Sequence, residues 1–256
     1  MDTVGARQMS RARQAWFSGL ALFFSLVFGL ALFGWIGLVD GWFLTGTDRI
    51  HRVHNIGASG VATGILVAFP LLIVAWRRDD IALLQMLGVA AIATALGSVL
   101  SLDWVFLASV AILAVPVVVL LAISRGWKRY LAPGRGLAPE LVIAALAGAP
   151  FWFAFAWTTA SLQHTRPADD PHVEMHHYSG MAIMAIGLVL MVVLTSLRTQ
   201  GWRIVAWLTG LGSAVYGVAS IAFPNYPGSE GATWGALAIA WGVVIVALAE
   251  RRAKMV

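Results

Sequence analysis

The feature that most restricts this chain is a series of long apolar runs separated by short polar punctuation. Several reach the ~20 residues that a helix needs to cross a hydrocarbon layer of ~30 Å. Eight runs can be marked, roughly at 15–39, 54–76, 81–101, 104–124, 141–163, 174–197, 203–223 and 233–250. Charged residues make up 11% of the 256, against about 25% in soluble domains, and the mean hydropathy is +0.83. The runs are continuous rather than alternating, which excludes a β-barrel. The expected fold is an all-α integral membrane protein with eight transmembrane helices, with the lipid bilayer as its principal partner.

The basic residues then set the orientation. Fourteen of the 17 flank one set of connections: Arg7, Arg11, Arg13, Arg77, Arg78, Arg125, Lys128, Arg129, Arg135, Arg198, Arg203, Arg251, Arg252 and Lys254. Only Arg49, Arg52 and Arg166 fall on the other side. The positive-inside bias predicts a multi-pass plasma-membrane protein with both termini in the cytoplasm, as an even span count requires. A pI near 10.2 therefore reports topology, and no nucleic-acid partner is expected. Met1–Arg13 is basic and precedes an apolar run, but that run is too long for a signal peptide and lacks a cleavage site. It reads as a retained first helix.

The chain also has signs of duplication. Ser59-Gly60 recurs as Ser179-Gly180, Gly97 as Gly217, and Trp104-x-x-Leu107-Ala108 as Trp234-x-x-Leu237-Ala238. The expectation is a tandem parallel repeat of two four-helix units, 1–130 and 131–256, forming one membrane domain. The longest polar linker, Arg125–Glu140 with Pro133, Gly134, Gly136 and Pro139, joins them.

Under this topology all six histidines are extracytoplasmic. Gln163–Met181 holds four of them, His164, His172, His176 and His177, and His51 and His54 lie in a sparser counterpart, Asp48–Gly60. Asp170 followed by Pro171 reads as an N-cap and first helical residue. A helix from there places His172 and His176 one turn apart, with Glu174 and His177 on the neighbouring face. Paired imidazoles suit a divalent metal such as zinc or copper, and a carboxylate can orient or complete the set. The candidate metal residues are His51, His54, His172, His176, His177 and Glu174, with haem the second choice of cofactor. Solvated interfacial histidines, headgroup binding or a pH-responsive cluster are the alternatives.

Asn55, Ser59 and Thr63 form a polar stripe at i, i+4 and i+8 down the second run, beside Gly60 and Gly64. Such residues mark helix–helix contacts in membranes, and a substrate groove is the other reading. Pro70, Pro116 and Pro150 fall inside runs, where kinks are tolerated. Trp42, Trp104, Trp157 and Trp234 read as an interfacial belt.

What is missing narrows the function. No Asp, Glu, Lys, Arg or His lies near the middle of a run, which argues against proton-coupled transport. The only lysines, Lys128 and Lys254, lie at the cytoplasmic edge, so a retinal Schiff base is removed. With no cysteine there is neither disulfide nor thiolate ligand. No phosphate loop, serine elbow or HExxH motif occurs.

Two families have similar features. Thr45-Gly46 and Asp48-Arg49-Ile50-His51-Arg52 resemble motifs of haem A synthase, which implies two four-helix bundles with haem-ligating histidines at outer helix ends. Spans four and eight carry no histidine where that family has one. Asn55-x-Gly57-x-x-Gly60-x-x-x-Gly64, His177-x-x-Gly180 and Phe223-Pro224 resemble recurring features of the DRAM/Frag/Sfk-like membrane proteins. The leading expectation is a non-transporting membrane protein whose outer polar cluster binds a divalent metal or lipid headgroup. A metal- or haem-dependent oxidoreductase or hydrolase is the rival, a small-molecule transporter is third, and a membrane-protein partner or homo-oligomer fits any of them.

Overall fold

The computed structural model describes residues 9–132 and 134–255. Arg7 of the basic flank and Pro133 of the linker lie outside them. Among the described residues, eight helices are long and apolar enough to cross a membrane: Arg11–Phe43, Gly46–Val74, Ile81–Ser101, Trp104–Ser124, Pro139–Thr165, His177–Ser196, Trp202–Ala222 and Gly231–Ala253. They are called spans one to eight. No strand occurs among the described residues, and the expected all-α membrane fold is the one found.

Local chemistry punctuates the chain. Leu102 takes a left-handed conformation that ends span three, and Asp103 caps span four, accepting from the backbone N–H groups of Val105 and Phe106 at 3.1 and 3.3 Å. Pro139 opens span five at a position where its missing N–H leaves no bond unmade. Gly201, with φ +94°, makes the tight turn between spans six and seven.

Span six is the axis of the bundle, with 89% of its apolar window buried against 28% for spans one, four and eight. It packs on spans two, three, five and seven, while spans one, four and eight are peripheral. Small residues set the closest approaches. A Cβ on Gly210 would lie 2.7 Å from the Gly242 carbonyl oxygen, and one on Gly217 would lie 2.4 Å from that of Gly235. Hydroxyl and indole groups add cross-links in the apolar interior: Ser213 Oγ donates to the Ala238 carbonyl at 2.6 Å, and Trp241 Nε1 to that of Ala144 at 2.8 Å.

Span one is not a continuous α-helix. It is wound as a π-helix over Val27–Ala31 and breaks at Leu32–Phe33, where Phe33 is left-handed. The second piece, Gly34–Phe43, lies against span two through Gly34, Gly37 and Gly41; a Cβ on Gly34 would meet the Gly64 backbone at 2.9 Å. Span two is itself π-wound over Asn55–Ala68, and α-winding resumes just before Pro70.

The two ends of the bundle differ in chemistry. At one end Arg129 contacts Asp79 and Gln200, Thr199 donates to Gln85, and Arg252 faces Glu140. At the other, the connections between spans one and two, three and four, five and six, and seven and eight converge, and all six histidines lie there. Gly97 and Gly217, a matched pair in the repeat reading, have different neighbours: Ile183 of span six for Gly97, Gly235 and Ile239 of span eight for Gly217.

Candidate functional site: four clustered imidazoles

Four of the six histidines come together, two from each half of the chain. His51 ends the 3-10 turn, Gly46–His51, that opens span two, and His54 follows one turn later. His172 sits in a four-residue helix, Pro171–Glu174, and His177 opens span six. Ring centroids lie 4.7 Å apart for His51–His172 and for His54–His172, 4.9 Å for His51–His177, and 5.3 Å for the stacked His54–His177 pair. The His172–His177 separation is 6.0 Å. Tyr178 closes one side, its ring 5.4 Å from His54 and 5.5 Å from His172.

The expected i, i+4 pairing of His172 with His176 is overturned. The helix begins as read, with Asp170 capping it and Pro171 first, but it ends after Glu174. His176 then adopts φ +56° and a new helix starts at His177. The break rotates His176 away from His172 and brings in His177 instead. Histidine is among the side chains that tolerate a left-handed backbone best.

Each ring has a different set of partners. His172 is held by Asp170, whose Oδ1 accepts from its backbone N–H at 2.8 Å and lies 3.1 Å from Nδ1; Nε2 lies 3.3 Å from the Ile50 carbonyl oxygen. Burial works to raise the Asp170 carboxyl, but the hydrogen bonds from His172 and the Arg166 charge outweigh it and hold the group below its ordinary value. His51 Nδ1 lies 3.1 Å from His177 Nδ1. His54 is wholly buried, and neither of its ring nitrogens has a hydrogen-bond partner. A Cβ on Gly228, in the connection before span eight, would touch the His54 ring at 3.0 Å, so glycine is what lets that loop close over it.

The other candidates lie apart from the four. His176 Nδ1 contacts Asp103 Oδ2 at 2.8 Å, and Ser179 Oγ donates to the same oxygen at 2.6 Å. Glu174 and His164 are exposed. Asn55, first of the polar stripe, donates to Asp40 of span one at 2.9 Å, whereas Ser59 and Thr63 line a cavity. The stripe therefore serves both helix contact and a cavity wall. Arg52 binds the Leu44 carbonyl through Nε at 2.9 Å and lies over the Phe223 ring at 4.8 Å, tying the first connection to the last. Trp104, Trp157 and Trp234 are exposed, as a belt requires, Trp234 also stacking on Phe151 at 4.9 Å, while half-buried Trp42 packs on Phe223 at 5.6 Å.

Of the residues that shape this end, Ser179 is visible in the sequence only as a repeat match, and Asp103 and Gly228 are not singled out there. Asp103 carried one usable signal, a lone acid between two apolar runs. Among the described residues no group of three or more His, Asp or Glu has its ligand atoms placed around one point that could hold a metal ion. The chain matches no protein-family model, no curated protein and no solved structure in the comparisons made.

Proposed function

We propose that this is a plasma-membrane protein whose extracytoplasmic face carries a transition-metal centre built from His51, His54, His172 and His177. The observation that carries the reading is His54, a wholly buried imidazole with two unpartnered nitrogens. Leaving such a group unsatisfied costs about 1–3 kcal/mol, and a metal ion is the partner best suited to a nitrogen surrounded by other imidazoles. The spacing agrees. Four imidazoles around one ion at ~2.0–2.1 Å have ring centroids on the order of 5 Å apart, against the 4.7–6.0 Å here. The nitrogens do not converge on one point among the described residues, so binding has to turn the rings inward. Asp170 beside His172 Nδ1 matches the carboxylate that orients a ligating histidine from behind.

An all-nitrogen set suits zinc or copper. Four protein ligands make a closed site, the structural type rather than the open catalytic one, so the reading is a ligand-binding protein rather than a metal-dependent enzyme. The positive-inside bias supports cytoplasmic termini. The test is metal analysis of protein purified from metal-supplemented cells. One zinc or copper per chain, lost in His54→Ala and kept in His164→Ala, is the expected result. Metal-free wild-type protein that gains no thermal stability from added zinc or copper overturns it, leaving the His51–His177 contact as part of a metal-free imidazole cluster.

A further inference from the structure

Three connections meet at the arginine-rich end of the bundle. Arg77 follows span two, Arg135 lies in the linker before span five, and Arg198 and Arg203 flank the turn between spans six and seven. Backbone packing draws them together. The Ala82 N–H donates to the Gln200 carbonyl at 2.9 Å, and a Cβ on Gly201 would lie 2.7 Å from that of Asp80. Arg198 donates to the Gly136 and Arg135 carbonyls through Nε and a terminal nitrogen, each at 2.9 Å, which fastens the linker to the turn. The four arginines line one cavity of about 460 Å³, within the ~300–1,000 Å³ of ligand pockets.

The charges around it do not balance. Asp80 and Glu250 are the acids of its wall. Arg77 pairs with Asp80. Arg203 holds Glu250 through two hydrogen bonds, at 3.2 and 2.6 Å, and Trp207 Nε1 donates to the same carboxylate at 2.9 Å. Each carboxylate thus has its arginine, and the surplus positive charge falls to Arg135 and Arg198. A guanidinium stays protonated, and its donors form a rigid fork that fits phosphate oxygens in pairs. The cavity selects an anion, and its sign depends on no histidine.

Which anion is decided by what lies beside the cavity. Arg203, Trp207 and Leu211 stand at i, i+4 and i+8 on one exposed face of span seven, and Val243 and Ala247 lie on the exposed face of span eight that leads to Glu250. Trp207 is 54%, Leu211 47% and Val243 60% exposed. In a bilayer such faces meet acyl chains, and an indole one turn from the charges marks the headgroup level. Arginines set above a lipid-facing apolar stripe fit a molecule with an anionic phosphate head and acyl tails.

We propose that this cavity binds the headgroup phosphate of an anionic phospholipid. Arg135 and Arg198 bind the phosphate oxygens, and the acyl chains lie along Trp207 and Leu211. A zwitterionic head is disfavoured because its cation meets the surplus positive charge. The site is at the opposite end of the bundle from the imidazole cluster and stands with or without a metal there.

The full-length protein, delipidated in a mild detergent, would be titrated with phosphatidylglycerol and with phosphatidylcholine of the same acyl chains, and bound lipid counted by native mass spectrometry. Phosphatidylglycerol is expected to bind about 10-fold tighter, the worth of one charge-assisted hydrogen bond. Arg135→Gln keeps the backbone carbonyl that anchors Arg198 and is expected to weaken phosphatidylglycerol ~5-fold. Lys128→Gln removes the same charge at the same end but outside the cavity, and leaves the affinity near that of the wild type. Inorganic phosphate in excess displaces little of the lipid. Equal binding of the two lipids by the wild-type protein, or equal losses in Arg135→Gln and Lys128→Gln, overturns the site in favour of diffuse surface charge. Displacement of phosphatidylglycerol by inorganic phosphate as readily as by unlabelled lipid assigns the cavity to a soluble phosphate and overturns the lipid as its occupant.

Discussion

His51 Nδ1 lies 3.1 Å from His177 Nδ1, although 126 positions separate them in the chain. A hydrogen bond between two imidazoles needs one N–H and one lone pair. A bound metal needs lone pairs from both, and sheds their protons to obtain them. Metal loading is therefore expected to weaken on acidification, as protons compete with the ion for those lone pairs. Titrating zinc affinity downward from neutral pH measures this; affinity that never falls as acid is added places the ion elsewhere.

His54 allows the two states of the cluster to be separated. Its two nitrogens are buried and unpartnered, so His54→Phe, which keeps a ring of similar shape, removes an unsatisfied polar group. Thermal unfolding without metal is expected to show the variant stabilised by about 1–3 kcal/mol. Zinc should raise the midpoint of the wild type and not that of the variant. A variant still stabilised by zinc shows that His54 is no ligand.

Asp170 has two roles that substitution can pull apart. Asparagine caps helices about as well as aspartate, so Asp170→Asn keeps the Pro171 turn while removing the charge behind His172. Metal affinity is expected to fall about 10–100-fold, with a loss of stability limited to the share of the charge, and Asp170→Ala loses ~1 kcal/mol of capping as well. The carboxyl sits below its ordinary value in the folded protein. Its stabilisation is therefore complete above the ordinary carboxylate range and is lost as pH falls through the depressed value. A wild-type protein whose acid sensitivity equals that of Asp170→Asn contradicts this assignment.

The seam between spans one and two gives a purely structural prediction. A Cβ on Gly34 meets the Phe28 carbonyl oxygen at 2.7 Å and the Gly64 backbone at 2.9 Å, whereas one on Gly19 meets nothing within 4 Å. Gly34→Ala is expected to destabilise by about 1–3 kcal/mol through overpacking, and Gly19→Ala to be neutral or slightly stabilising. Equal effects at the two sites would mean that the Gly34 approach is not a close one.

Orientation is open to direct measurement because the chain has no cysteine. Ala168→Cys, in the connection before span six, should react with an impermeant maleimide in intact cells. Leu131→Cys, in the arginine-rich connection, should react only after permeabilisation. The opposite pattern inverts the proposed topology.

The spans were legible because a bilayer leaves a helix few alternatives. Ile81–Ser101 and Trp104–Ser124 match their expected limits to the residue, since Asp80 and the Leu102-Asp103 pair interrupt the apolar runs at both points. Span six was read three residues early: the left-handed step at His176 leaves no mark in hydrophobic periodicity, and that step decides which histidine joins the cluster. The Asp103–His176 contact was hidden for a related reason. Asp103 reaches His176 across 73 positions, and no local spacing reports such a contact. Ser59 and Thr63 were visible as a stripe, but whether they face a helix or a void depends on the bend of span one at Leu32–Phe33.

The sharing of the four rings between the halves has a consequence for biosynthesis. His51 and His54 enter the bilayer with span two, and His172 and His177 arrive only with span six, after three further spans have been made. Until then the early pair has at most two imidazoles to offer an ion, and the later pair completes the set. Metal capture would therefore report that the sixth helix has reached its place at the centre of the bundle, making the ion a late seal on membrane insertion rather than a seed for it.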